Sequence, residues 1–337
     1  MTGSALPHTN VPAELPAVLA PLEEELNLVG EQFAEILADA ADQSRDMVRH
    51  AARFNGKRLR PALACLGARI AGGPVTNDVA TVAAVVELIH TATLVHDDIL
   101  DGAEKRRKVA TLNTRWGNHS AVLVGDVLFS KAYCAAAWLD DPFASRYLSD
   151  VVAEVLEGEI HQNHVAHDPM VSEDEYRSII RGKTAALYEA ALVVGAHYAG
   201  ADETLKKRLG CYGHHLGMAF QIVDDRLDLT GDEETVGKSL GTDLTEGKMT
   251  LPVILWLRDR PPSEQEAARA QVEQAWTDPA AAQALAAELR TSGALARADE
   301  AARAEIELAL ACLAELPEGT ERTLLETLAA FVVARTN

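Results

Sequence analysis

The sequence predicts an all-α protein built as one large helical domain. Three observations carry this. Ala, Leu and Glu dominate, aromatic residues are only 5% of the 337 residues, and β-branched residues do not gather in alternating runs. Helical periodicity runs between turn signals, which fall at FNG near 55, AGGPVTND at 71–78, DDP at 140–142, HDP at 167–169, DRPP at 259–262, TDP at 277–279 and LPEG at 316–319. About ten to twelve helices fit between these breaks. The stretch 77–101 is apolar almost all round, as a central buried helix must be. The part after 260, rich in Ala, Glu and Arg, reads as peripheral helices. With no linker-like change in composition, residues 13–337 form a single domain behind a flexible segment at 1–12.

The formal net charge of −20 repels phosphate backbones and argues against a nucleic-acid partner. An anionic ligand must therefore be drawn in by local basic groups or by metal ions. Cys65, Cys134, Cys211 and Cys312 stand far apart without a CxxC pair and read as reduced, mostly buried thiols of a cytoplasmic protein. The N-terminus lacks the pattern of a signal peptide, and no run of about eighteen uninterrupted apolar residues suggests a transmembrane span.

The stretch HDDILDGAEKRR at 96–107 places three aspartates directly after that apolar helix, and FQIVDDRLD at 220–228 repeats their spacing. Positions i and i+4 share a helical face, whereas i+1 points about 100° away. Asp97 with Asp101, and Asp224 with Asp228, therefore form two carboxylate combs; Asp98 points elsewhere. A lone acidic cluster is most often a solvated helix end. Two matching combs in apolar helices need cations between them, and hard oxygen ligands suit Mg²⁺ carrying substrate phosphates. An EF-hand is excluded, because its third and twelfth positions would be Ile99 and Lys108.

Basic groups gather around the combs. Lys57 and Arg60 lie just before Pro61, where a helix N-terminus forms an anion site, although a solvated basic turn explains them equally well in isolation. Arg106 and Arg107 follow the first comb. Lys183 and Thr184 sit in an apolar helix, while Lys238 and Lys248 bracket the loop after the second comb. The concentration suggests a site for two diphosphates. His90 shares the face of Asp97 and is either a core histidine or a ligand. His161, His164 and His167 spread around the helix with no tetrahedral set and read as surface residues, not a zinc site.

GKRLRP, the first DDxxD with its paired arginines, GD at 125–126, KT at 183–184, FQxxDDxxD and the final GK…GK…TLP occur in the order of the trans-isoprenyl diphosphate synthases, which residues 50–255 resemble. ELIHTATLVHDDILD is most similar to the medium- and long-chain polyprenyl diphosphate synthases, such as the octaprenyl enzymes. The resemblance implies a homodimer with a deep central cavity and head-to-tail joining of isopentenyl diphosphate to an allylic partner such as farnesyl or geranylgeranyl diphosphate. It also implies two or three Mg²⁺ ions per site, replaceable by Mn²⁺, held by Asp97, Asp101, Asp224 and Asp228. Lys57, Arg60, His90 and Arg107 would bind isopentenyl diphosphate. Arg106, Lys183, Thr184, Gln221, Lys238 and Lys248 would serve the allylic diphosphate and its ionisation. Lys108 stands where the family usually has glycine.

Two alternatives use related parts. A class I terpene cyclase would not need GKRLRP, and a non-catalytic subunit of a heteromeric synthase should have lost a comb. The helix before Asp97 is expected to wall the product tunnel. Ala92 and Thr93 leave an open gate there, with Ile89 below, and Phe129, Tyr133 and Trp138 are candidates for a floor. Products longer than twenty carbons, in the thirty-to-forty range, are expected.

Overall fold

At the centre of the structure, a computed structural model describing residues 14–54, 56, 58–230 and 241–335, lies helix Asn77–Leu100. Thr76 caps its start, its side-chain oxygen accepting from Val79 N at 3.3 Å. From Val79 to Val95 nearly every apolar side chain is buried, because other helices pack against most of its surface.

The helices before it are α1 (Leu15–Leu19), α2 (Glu23–Ala38), α3 (Arg45–Ala51) and α4 (Leu59–Ile70), so the central helix is α5. A two-stranded hairpin, β1 (Lys105–Arg106) and β2 (Val109–Ala110), departs from the all-α expectation without altering the fold class. Then come α6 (Leu112–Ala137), bent where Gly117 leaves helical geometry, and α7 (Phe143–His164). Helices α8 (Glu173–Ile180) and α9 (Ala186–Tyr198) are joined by a π-helical turn at Arg181–Ala185. Helix α10 (Glu203–Thr230) packs on α9. The remaining helices are α11 (Thr242–Thr245), α12 (Leu251–Arg258), α13 (Gln265–Ala275), α14 (Pro279–Thr291), α15 (Ala294–Cys312) and α16 (Thr320–Ala334). Among the described residues the expected turn signals fall at helix boundaries, two of them running into the first turn of the next helix. The expectation for residues 1–12 lies outside the described residues.

Tie points hold the C-terminal helix against α4 and α10. Arg69 on α4 bridges Glu25 on α2 at 3.1 Å and Glu321 on α16 at 2.8 Å. Tyr212 on α10 donates to the carbonyl of Leu325 at 2.7 Å. One reading is corrected: Cys211 and Cys312, expected as separate reduced thiols, are joined as a disulfide between α10 and α15, with Cα atoms 6.1 Å apart. Sequence distance concealed that α15 folds back along α10. The sequence-based case for a reducing compartment thus loses two of its four thiols, leaving Cys65 and Cys134 free.

By length and composition alone, α5 and α6 are each apolar enough to cross a bilayer. For α5 that character is explained by burial, with 72% of its apolar window inside the protein; α6 has only 33% covered. Val122 and Leu123 on α6 remain exposed.

Helices α4 and α9 cross with their backbones in contact. A Cβ on Gly195 would lie 1.9 Å from the carbonyl oxygen of Ala64, and one on Gly67 would lie 2.4 Å from that of Leu192. Gly195→Ala should therefore force the pair apart and destabilise the protein by about 1–3 kcal/mol in chemical denaturation.

Candidate active site

The C-terminal ends of α5 and α10, the start of α4, the hairpin, α7 and the π turn enclose a cavity of about 710 Å³. Its lining divides by chemistry. Arg58, Arg60, Arg106 and Arg107 form one basic group with His90 and Glu87. Asp97, Glu159 and Asp224 contribute carboxylates, with Lys183 and Arg335 beside them. Leu94, Ile99, Val155, Leu156 and Ile160 supply much of the apolar wall.

The basic group is set by local backbone. Arg107 and Lys108 are the two central residues of the hairpin and both have positive φ, 50° and 67°, as a two-residue turn matching strand twist requires. Gly56 leaves room for the Arg107 guanidinium, since a Cβ there would fall 2.1 Å from an Arg107 nitrogen and displace it. Arg107 Nη1 donates to the Phe54 carbonyl at 2.5 Å, and the Arg60 guanidinium lies over the Tyr188 ring at 4.6 Å. Glu87 is the buried counter-charge. Burial pushes its carboxyl up, opposed by Arg60, Arg107 and Arg58, and its Oε2 finds no hydrogen-bond partner among the described residues. Burial, with Arg60, Arg107 and Arg106 nearby, pushes the His90 imidazole well below its usual value and keeps it neutral.

The first comb is resolved into distinct parts. Asp97 faces the cavity, and burial pushes its carboxyl up to about 6, aided by Glu159 and Asp101 and opposed by Lys183. Asp98 is buried and pairs with Arg106, Nη2 at 2.8 Å, so it anchors the hairpin. Asp101 pairs with Lys248 at 3.1 Å. Burial works against charge on Lys248, but Asp243, Asp101 and Glu246 outweigh it and raise the ammonium above its usual range.

In the second comb, Asp224 lines the cavity and meets Arg335 Nη2 at 2.8 Å. Asp228 turns to the backbone, its Oδ2 accepting from Asp243 N at 3.2 Å. A hydrogen-bond chain runs beside it. Thr184 donates to Gln221 Oε1, Gln221 Nε2 donates to Asp225 Oδ1, each at 2.7 Å, and Tyr176 donates to Asp225 Oδ2 at 2.6 Å. Burial pushes Asp225 up to about 8, with Asp243 and Asp224 adding to it. Lys183 Nζ lies 2.7 Å from Glu159 and from Gln162.

The sequence-derived residues Arg60, His90, Asp97, Arg106, Arg107, Lys183, Thr184, Gln221 and Asp224 thus meet at one cavity. Lys57 and Lys238 lie outside the described residues. Of the expected tunnel wall, Thr93 faces the cavity, whereas Ala92 and Ile89 are fully buried in the core and do not line it. The rotation of α5 presents the face of His90, Thr93 and Asp97, three and four residues apart. The floor candidates also miss the cavity: Phe129 and Tyr133 pack on the core, and Trp138 is 84% exposed at the end of α6. The three histidines do not converge; His161 pairs with Glu175 at 3.1 Å and His167 packs on Trp276.

A family model described as polyprenyl synthetase matches residues 42–289. The chain belongs to the polyprenyl synthetase family. It is 35% identical over 318 residues to an all-trans-nonaprenyl-diphosphate synthase (geranyl-diphosphate specific) of Rhodobacter capsulatus, covering 94% of this chain and 97% of the relative. It is 38% identical over 280 residues to octaprenyl diphosphate synthase of Escherichia coli K12, covering 83% and 86%. A polyprenyl synthase from Caulobacter crescentus, solved with calcium and isoprenyl diphosphate, superposes with a TM-score of 0.90 at 34% identity over 96% of this chain and 99% of that one.

The cavity of this polyprenyl synthetase is also lined by residues that sequence spacing did not flag. Glu87 carried a signal, a lone carboxylate inside VAAVVELIHTATLV, three residues before His90. Glu159, Tyr188 and Phe220 sit in ordinary helical patterns, and Arg335 reaches the site only because the chain end folds back. The departure at Lys108 also has a structural meaning. It occupies a left-handed position that suits glycine, so Lys108→Gly should stabilise the protein by about 1 kcal/mol in denaturant titration without moving Arg106 or Arg107.

Proposed function

We propose that this polyprenyl synthetase joins isopentenyl diphosphate head-to-tail to an allylic diphosphate, farnesyl or geranylgeranyl diphosphate being suitable primers, and releases a trans-polyprenyl diphosphate longer than twenty carbons. One observation carries the reading: a single cavity holds an arginine group, a separate carboxylate group and an apolar wall. Those are the needs of two diphosphates and a growing hydrocarbon. The terpene-cyclase alternative has no use for the arginine group.

The carboxylates suit a hard divalent cation. They supply oxygen donors only, and protein cations already stand against two of them, Lys248 on Asp101 and Arg335 on Asp224. Asp97, Asp101 and Asp224, with Asp228 behind them, would hold two or three Mg²⁺ ions, or Mn²⁺ in their place. When bound, the ions would offset the charge that collects on a departing diphosphate.

The protein's own groups do the rest. Lys183 and Arg335 add positive charge where the allylic diphosphate departs, and Lys248 holds Asp101 in place. Thr184 and Gln221 orient one another beside that diphosphate. Arg60 and Arg107, with Lys57 three positions before Arg60 in the sequence, grip the isopentenyl diphosphate. Neutral His90 borders that group without adding a charge. The apolar wall keeps water from the allylic cation between ionisation and attack by the isopentenyl double bond.

A second copy of the chain would complete the chamber. Leu100, Val122, Leu156 and Ile160 line the cavity yet remain 60%, 42%, 43% and 68% exposed, so its α5–α6–α7 side is an open apolar edge. A homodimer covering α6 and α7 would bury it.

Two experiments test this reading. Incubation with farnesyl diphosphate, labelled isopentenyl diphosphate and Mg²⁺ should give labelled products longer than twenty carbons. Chelation, Asp97→Ala or Asp224→Ala should each cut turnover at least roughly a hundredfold; condensation without metal would overturn the reading. Product sizing on Thr93→Phe should show shorter chains with the first condensation retained, because the new ring enters the cavity. Ala92→Phe should instead disturb the core, where Ala92 has no exposed surface.

A further inference from the structure

Helices α10 and α15 bring together three groups that the condensation does not use. Cys211 and His215 stand one turn apart on α10, and Cys312 is the last residue of α15. The two sulfurs and a ring nitrogen of His215 all lie within 4.8 Å of one another. The site is well removed from the carboxylates, since the helical rise from Cys211 to Asp224 is roughly 20 Å.

The surroundings are arranged for thiol chemistry. Cys211 is an exposed residue. His215 donates from Nδ1 to Glu305 Oε2 at 2.7 Å, which leaves Nε2 as the proton acceptor of the ring. Glu305 also accepts from Arg177 Nη1 at 2.7 Å; burial pushes its carboxyl up, but the bonds from His215 and Arg177 outweigh that and keep it ionised. The Cα separation of 6.1 Å lies in the range where a disulfide forms without backbone movement. The other cysteines lack these features. Cys65 is enclosed and burial pushes its thiol up to about 12, while Cys134 is exposed without a cysteine partner.

We propose that Cys211 and Cys312 form a reversible thiol–disulfide exchange site for low-molecular-weight disulfides, with His215 as its base, and that oxidation fastens α15 to α10. In the reduced form His215 takes the proton of the Cys211 thiol. The thiolate attacks one sulfur of the external disulfide and expels a thiolate, leaving a mixed disulfide on Cys211. The Cys312 thiol, giving its proton to the thiolate just expelled, then attacks Cys211 Sγ and expels the second external thiolate, which takes the proton held by His215. Two protein thiols are oxidised and one external disulfide is reduced to two thiols; a dithiol reverses the sequence. The cross-link closes a loop spanning 101 residues that contains Asp224 and Asp228. It also holds the helix from which the chain continues into α16 and Arg335.

The test uses the full chain carrying Cys134→Ser, which removes the other exposed thiol, equilibrated with glutathione disulfide or with dithiothreitol. Peptide mapping without reduction should find Cys211 linked to Cys312 only after glutathione disulfide, and thermal unfolding of that form should be higher by roughly 3 °C or more. Dithiothreitol should reverse both changes in the folded protein. Cys312→Ser should abolish the shift and trap a glutathione adduct on Cys211, and His215→Gln should slow linkage several-fold while reaching the same end point. The proposal is overturned if both thiols stay free after glutathione disulfide, if the link resists dithiothreitol in the native protein, or if the two forms unfold at the same temperature.

Discussion

Carboxylates drawn out of water into one cavity repel each other and lose hydration, so each must be given a positive partner. That constraint organises this protein. Asp97 shows the cost directly, its proton affinity raised by burial and by Glu159 and Asp101. The chain answers with cations from distant segments: Lys183 from the π turn, Lys248 from the loop before α12, and Arg335 from the end of α16. The Lys248–Asp101 contact joins the two halves of the chain beside the cavity, and Arg335 brings the last helix to it.

Helical packing makes the concentration of charge possible. The long helices α5 and α10 end in the combs after burying their apolar lengths, so the aspartates stand on rigid supports. Close backbone contacts serve the same end. Gly158 lets the π turn approach α7, since a Cβ there would lie 2.6 Å from Lys183 N, and Gly125 makes room for the His96 ring. The tight hairpin, anchored by Asp98 to Arg106, turns Arg107 toward Phe54 and Gly56. His90, kept neutral by burial and by these arginines, completes the arginine group without adding charge to it.

Much of this was legible in the amino-acid order because it depends on period and spacing. Turn signals separated the helices, and the i, i+4 repeat singled out Asp97 and Asp224 while setting Asp98 aside. What escaped depends on long-range folding. Arg335 and Glu159 arrive from helices whose patterns carry no mark of a site. The pairing of Cys211 with Cys312 needs α15 to run back along α10, and sequence distance hid it. The helical wheel gives relative angles but not which angle faces the cavity, and of the three residues expected along the tunnel Thr93 lines it while Ala92 and Ile89 are buried. Lys108 was visible as a departure, yet its left-handed backbone was not.

The central claim is that these carboxylates are held together for metal ions that carry a diphosphate. Thermal unfolding with Mg²⁺, with inorganic diphosphate, and with both measures it without reference to turnover. Wild-type protein should gain far more stability from the two together than from the sum of each alone, and Asp97→Asn combined with Asp224→Asn should lose that excess. An equal gain in the double variant, or a diphosphate effect indifferent to Mg²⁺, would contradict the claim.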